Sequence, residues 1–280
     1  ELEIDRHMDL NYDLFVDLTP DFHQERSQKA QDRSAWRNMK RMTPNQINTW
    51  RSHYKPKDAA FKKGKLSGKD LVRWKFQRYA KNYLRCVKGV DESLHTLQEE
   101  LRKLGLDKNT IVIYSSDQGF YIGDHGWYDK RWMYEESLKM PLIVKWPGTI
   151  KAGSKQEEMV QNLDYAQTFL DLAGAPQPKD MQGRSIVPLL KGEKLDNWRK
   201  EIYYHYYEYP SVHMVPRHYG IRTNRYKLMH FYEFGDEWEM YDLKKDPDEV
   251  TNLYGKEEFL ELQKSLKKRL KNLQKFYDDQ

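Results

Sequence analysis

The residues with the clearest chemical potential lie close together in the sequence. They are Ser116-Asp117-Gln118-Gly119, then Gly123-Asp124-His125-Gly126-Trp127, then Asp129-Lys130-Arg131. The carboxylate of Asp117 and the amide oxygen of Gln118 are hard oxygen donors, which suit Ca²⁺ or Mg²⁺ better than zinc. Gly119 allows the backbone to turn sharply after them. Taken alone, an Asp at a strand end is more often a helix cap or a turn residue than a ligand. A second group, His205, His213, Arg217 and His218, clusters around Glu208–His218. Histidine and arginine are hydrogen-bond donors for polar or anionic groups; the alternative is a surface loop.

The elements that position these residues follow from periodicity. Between Lys69 and Leu104, Trp74, Tyr79, Tyr83, Val87, Val90, Leu94, Leu97 and Leu101 recur at helical spacing, and Gly105 is placed to end the helix. Thr110–Ser116 then reads as a buried strand. A helix, a turn and an apolar strand make half of a βαβ unit, so the class is α/β. Asp117 falls at the carboxyl end of that strand, where ligands sit in open α/β sheets. Met140–Trp146 is a second buried strand, closed by Pro147-Gly148, and Asn162–Ala173 a helix. After Trp198 come four short aromatic-rich segments, Ile202–Tyr209, Tyr219–Arg222, Tyr226–Tyr232 and Trp238–Asp242, read as an antiparallel sheet. Glu257–Tyr277 is a final amphipathic helix. Residues 1–70 read as an irregular insertion. They include a helical stretch over Gln24–Met39, a short helix opened by Thr43-Pro44 and running to about Tyr54, and a flexible basic loop over Lys62–Gly68. The expected organisation is 1–197 as an α/β portion and 198–280 as a smaller subdomain.

Composition narrows the field. Hydrophobic residues at 38% and aromatics at 14% supply enough buriable surface for a folded chain of 280 residues. The net charge of +5 suits an anionic substrate, but basic and acidic residues are interspersed, unlike a nucleic-acid binder. No run approaches the roughly 20 apolar residues of a membrane span. The single cysteine, Cys86, excludes an internal disulfide; its place within the long helix marks it as a packing residue.

From about Tyr79 to Tyr254 the sequence resembles the formylglycine-dependent sulfatases of the alkaline-phosphatase superfamily. The matching segments, in the family's order, are Tyr83–Ser93, Thr110–Phe120, Gly123–Gly126, Asp129–Ser137, Pro141–Gly148, Asp164–Leu172, Met181–Ser185, Arg222–Leu228 and Glu239–Pro247. In look it is most similar to bacterial N-acetylglucosamine-6-sulfatases acting on glycosaminoglycans. The resemblance implies a sulfatase-like sheet with flanking helices and a small C-terminal antiparallel sheet packed with a terminal helix. It implies Ca²⁺ as cofactor, with Asp117 and Gln118 as ligands, although Asn or His is usual at the second position. It implies that Lys130 contacts the sulfate, placing positive charge where negative charge develops. His125 would donate to the sulfate or leaving oxygen, or only brace its loop. The loop bearing His213, Arg217 and His218 would approach the sugar. The implied location is periplasmic, extracellular or lysosome-like, and the implied partner a sulfated carbohydrate, with no nucleic acid.

The departures matter as well. The family nucleophile sits in a Cys/Ser-x-Pro/Ala-x-Arg motif and is oxidised to formylglycine. Cys86 lies in Arg-Cys-Val-Lys-Gly and does not match it. The paired aspartates near the family's N-terminus and its Pro-His motif are also missing. The expectation is therefore a catalytically incomplete portion of a sulfatase, inactive alone, with an N-terminal chain or segment completing the site. Two alternatives stand beside it: a phosphodiesterase or phosphonate hydrolase of the same superfamily, and a non-catalytic fragment that binds sulfated glycan.

Overall fold

A computed structural model describes residues 40–279 except 212, 213 and 234. The expected helix over Gln24–Met39 and the candidate His213 lie outside the described residues. The chain forms two compact units: 40–94 with Tyr121–Asp129, and His95–Phe120 with Lys130 onward.

In the first unit, α1 spans Pro44–Gly64. Thr43 caps it with a full capping box: its hydroxyl accepts the Gln46 N–H, and the Gln46 side chain accepts the Thr43 N–H. The helix passes through Pro56 and ends only at Gly64, so the expected stop near Tyr54 and the irregular texture of this stretch are corrected. The expected basic loop shrinks to a short turn after Gly64, with Lys65 left-handed. α2 follows over Gly68–Lys103 and stops at Gly105, which has φ 69°. Phe61 of α1 stacks on Trp74 of α2 at 4.0 Å between ring centroids. The apolar stripe along α2 is only partly covered, since Val87, Val90 and Leu97 remain 44–50% exposed. Cys86 is exposed, so it is not the packing residue expected; α2 turns it toward solvent. A two-residue hairpin completes the unit, with β2 (Tyr121–Ile122) pairing β3 (Tyr128–Asp129).

In the second unit, β1 (Val112–Ser115) pairs antiparallel with β4 (Leu142–Lys145). Both strands are half-buried rather than buried, and Ile143 is 64% exposed. The chain leaves β1 and returns through the short helix α3 (Glu135–Leu138), which reverses its direction. α4 (Leu163–Leu172) and α5 (Val187–Leu190) follow. The buried Asp164 lies in the first turn of α4. It accepts the backbone N–H of Gln161 and of Arg184 and pairs with both Arg199 nitrogens.

The four aromatic-rich segments form a sheet, β5 (Glu201–Tyr206), β6 (His218–Thr223), β7 (Tyr226–Phe231) and β8 (Glu237–Asp242), each antiparallel to the next. The terminal helix α6 (Leu260–Phe276) lays Leu266 and Leu270 on Ile221, Leu228 and Met240. The expected C-terminal sheet and helix are therefore present. Both faces of the sheet are covered at its centre, since Leu228 and Met229, neighbours on β7, are both fully buried. Among the described residues no helix is long and apolar enough to cross a membrane.

Candidate active-site segment

Ser137 organises the segment that sequence singles out. This buried residue accepts two backbone N–H groups from different stretches of chain. Its carbonyl takes the Gly119 N–H at 2.7 Å, and its hydroxyl takes the Arg131 N–H at 3.0 Å. The turn carrying Asp117 and Gln118 and the stretch carrying Lys130 are therefore tied to one residue. Gly119 is required where it stands, because a Cβ there would lie 1.9 Å from the Glu136 carbonyl oxygen.

The backbone around Lys130 is strained. Asp129 and Arg131, its neighbours on either side, have φ of 76° and 105°, a region non-glycine residues seldom adopt. Such conformations persist where the surroundings over-determine them. Arg131 is held at both ends, by Ser137 at its N–H and by the Tyr204 hydroxyl, which donates to its carbonyl at 2.6 Å.

The Asp117 carboxylate is exposed, and the Asn162 side chain donates to its backbone carbonyl at 3.5 Å. The amide end of Gln118 turns back on it, with one amide atom 3.2 and 3.3 Å from the two carboxylate oxygens. If that atom is oxygen, it faces two carboxylate oxygens for which the Ser116 hydroxyl, 3.4 Å from Oδ1, is the donor at hand, an arrangement a cation relieves. If it is nitrogen, the amide donates and the pair is satisfied alone. The donor set thus fits part of the shell of a hard cation, which takes six to eight oxygens as a rule. Among the described residues no three or more His, Cys, Asp or Glu side chains gather to complete it.

His125 belongs to the first unit. It occupies a left-handed position, φ 56°, in a 3-10 turn at the tip of the β2–β3 hairpin. Asp124 accepts the Ile122 N–H at 3.1 Å, and the Gly123 and Trp127 N–H groups close the turn. The imidazole lies against Trp127, 5.4 Å between centroids, and edge-on to Tyr121.

The C-terminal loop separates into unlike parts. Arg217 is partly exposed and grips Glu233 through two nitrogens, at 2.6 and 3.1 Å, with its guanidinium over Tyr232. His218 is fully buried, surrounded by Trp132, Tyr204, Tyr206 and Phe231. Its Nδ1–H donates to the Pro216 carbonyl at 2.8 Å, and burial pushes its pKa down to about 4, so the ring is neutral. Its place at the start of β6 thus sets the His218 ring among aromatic side chains. His205 is likewise engaged, by Asp279 and the Tyr232 hydroxyl.

Sequence reasoning passed over the residues that hold this segment, Ser137, Tyr204 and a buried charge cluster. Glu135 accepts from Arg222, 3.0 Å, and lies 3.0 Å from Lys227 Nζ. Lys227 also meets Glu249 at 2.7 Å, and Glu249 accepts the Glu135 N–H at 2.7 Å. The arginine and lysine hold Glu135 down to about 2 despite its burial. A lysine inside an alternating strand such as β7 is the one signal that could have found this cluster.

The sequence matches the model of the Sulfatase family over residues 17–175, more than half of the chain. The chain belongs to the sulfatase family. Residues 123–276 of this sulfatase chain also match the model described as N-sulphoglucosamine sulphohydrolase, C-terminal. It is 50% identical over 242 residues to an N-acetylglucosamine-6-O-sulfatase of Bacteroides thetaiotaomicron, covering 86% of the chain and 43% of that relative. The chain therefore spans less than half the length of this curated relative. Among solved structures it resembles one described as in complex with its substrate D-glucosamine-2-N,6-O-disulfate, with a TM-score of 0.89 and 45% identity over 98% of this chain and 56% of the other. It also resembles the phosphonate monoester hydrolase of Agrobacterium radiobacter, with a TM-score of 0.60 and 26% identity over 67% of this chain and 39% of the other. The expected mixed sheet-and-helix class of the sulfatase kind is borne out.

Proposed function

We propose that the chain serves a sulfuric ester hydrolase that removes the 6-O-sulfate of N-acetylglucosamine in glycosaminoglycan-type sugars, outside the cytoplasm. The observation that carries the reading is the double tie at Ser137, which sets the Asp117–Gln118 turn and the Lys130 stretch on one frame. Half identity to an N-acetylglucosamine-6-O-sulfatase supports the choice of sugar.

In this reading Asp117 and the Gln118 amide oxygen hold Ca²⁺, which supplies charge stabilisation to the sulfate oxygens when bound. Lys130 adds a cation where negative charge grows as the ester bond breaks. His125, packed beside Trp127 and Tyr121, hands a proton to the leaving oxygen. The 280 residues contain no Cys/Ser-x-Pro/Ala-x-Arg motif, so no residue of this chain is assigned as the nucleophile. What its residues contribute is binding, positioning and proton transfer. Arg217 and His213 hold the sugar. The Arg217 charge is already balanced by Glu233, so it acts as a directed hydrogen-bond donor rather than a free cation.

The test is a calorimetric titration of the chain, with and without Ca²⁺, against 6-O-sulfated N-acetylglucosamine, unsulfated N-acetylglucosamine and inorganic sulfate. The sulfated sugar should bind best, and Ca²⁺ should strengthen its binding. Asp117→Ala should remove the Ca²⁺ dependence, and Lys130→Ala should weaken both sulfated ligands. Arg217→Ala should weaken the sugar by about tenfold and spare inorganic sulfate. Equal binding of sulfated and unsulfated sugar would sink the reading. The resemblance to a phosphonate monoester hydrolase favours one rival, and preference for a phosphonate monoester in the same titration would establish it.

A further inference from the structure

In the first unit, α1 and α2 enclose an open pocket of about 310 Å³, lined chiefly by Tyr54, Lys57, Trp74, Arg78, Lys81 and Arg85. That lies at the low end of the roughly 300–1,000 Å³ of small-ligand sites. Its lining is unusual in charge. Of the eight lining residues, four are cations and two are aromatic.

Arg78 is the centre of the problem. Its side chain is only 8% exposed. One guanidinium nitrogen pairs with Asp58 at 3.1 Å, while Nε and Nη1 are buried and have no hydrogen-bond partner among the described residues. A guanidinium cannot shed its charge to escape this, and buried polar groups are normally satisfied. The ring of Tyr54 lies 4.3 Å beneath the guanidinium and Trp74 at 5.9 Å. Those faces hold the cation in place but accept no conventional hydrogen bond.

The neighbours intensify the need. The Lys57 ammonium is lowered from its ordinary pKa by desolvation and then by Arg85, Arg78 and Lys81. His53, 2.6 Å from Lys57 Nζ, is lowered by desolvation and by the same positive field. Among the described residues, like charges have been brought together with little to neutralise them. Tyr54 and Arg85 both donate to the Asn82 amide oxygen at 2.9 Å, which fixes one rim of the pocket. A group with several acceptor oxygens and a negative charge would answer the unmet donors and the repulsion together.

We propose that this pocket is an oxyanion site, taking a sulfate or carboxylate group either as a free ion or carried on a sugar ring laid along Tyr54 and Trp74. The inference does not depend on the hydrolytic reading, since none of its residues is assigned there.

The test observes Arg78 directly. The Nε–H signals of the arginine side chains are followed by NMR while the 280-residue chain is titrated with sodium sulfate, with chloride matching the ionic strength. The Arg78 signal should shift saturably with sulfate, not with chloride, and should do so equally in Lys130→Ala, which separates this site from the proposed catalytic one. Lys81→Ala with Arg85→Ala keeps the Arg78–Asp58 pair and should weaken sulfate at this signal by about tenfold or more. Arg78→Gln should abolish the site; the double variant keeps the test decisive should that protein misfold. Tighter binding of 6-O-sulfated N-acetylglucosamine than of sulfate would assign the ligand to a sugar, and equal binding to the free ion. A shift that chloride reproduces, or an affinity unchanged in the double variant, would overturn the proposal.

Discussion

Lys227 and Glu249 meet at 2.7 Å with both side chains wholly excluded from solvent. Neither charge is hydrated, so each is tolerable only because of the other and of Glu135 and Arg222 around them. The pair stands behind α3, whose first residue is Glu135. The cluster thereby fixes the stretch that leads from Lys130 to Ser137 onto the C-terminal sheet.

Removing one partner should be far worse than removing both. Lys227→Met leaves Glu249 as a buried anion without its cation, a loss of about 3–5 kcal/mol for broken buried pairs. Lys227→Met with Glu249→Leu should recover more than half of that loss. Urea denaturation midpoints measure both variants. A double variant as unstable as the single one would show that the cluster acts through more than mutual neutralisation.

The same cluster predicts an acid limb in stability. The folded pKa of Glu135, about 2, is below its ordinary value of 4.5. Its contribution is therefore complete above about pH 4.5 and is lost as pH falls toward 2. Burial pushes Glu249 the other way, against the pull of Lys227, so ionising it disfavours the fold and its protonation on acidification is favourable. Stability should hold or rise slightly as pH falls from neutral to 5, then drop. The advantage of wild type over Glu135→Gln should shrink below pH 4.5. Parallel stability curves for the two proteins down to pH 3 would refute the assignment.

Ser137 permits a residue-resolved test. Ser137→Ala removes the acceptor for the Arg131 N–H but keeps the carbonyl that takes the Gly119 N–H. Hydrogen exchange should accelerate at Arg131 by about tenfold or more, with Gly119 still protected. Comparable acceleration at both amides would mean that the hydroxyl supports the whole segment rather than one tie.

What was legible in the sequence were elements with strong local signals. The β5–β8 sheet announces itself by short aromatic-rich runs, α6 by helical spacing of its leucines, and Thr43-Pro44 the start of α1 through its capping chemistry. The end of α1 was not legible, because Pro56 signals a stop that the helix overrides. The antiparallel pairing of β1 with β4 was hidden too, since apolar runs do not carry direction. At the candidate site, Asp117 and Lys130 were visible as residue types beside a strand end. Ser137, Tyr204 and the Glu135–Lys227–Glu249 cluster were not, because their partners lie as much as 114 positions away in the chain. His218 shows the opposite limit: its type indicated a ligand, while its place at the start of β6 sets the ring among aromatic side chains.

The sharing of Ser137 by two loops bears on timing. Separate loops would each wander, and an incoming ion would have to wait for both to coincide. Here the Gly119 and Arg131 backbones hang from a common anchor, so their fluctuations are correlated. In the proposed site, a ligand that reached Asp117 would find the Lys130 stretch already in register, and its capture would require one encounter rather than a sequence of adjustments.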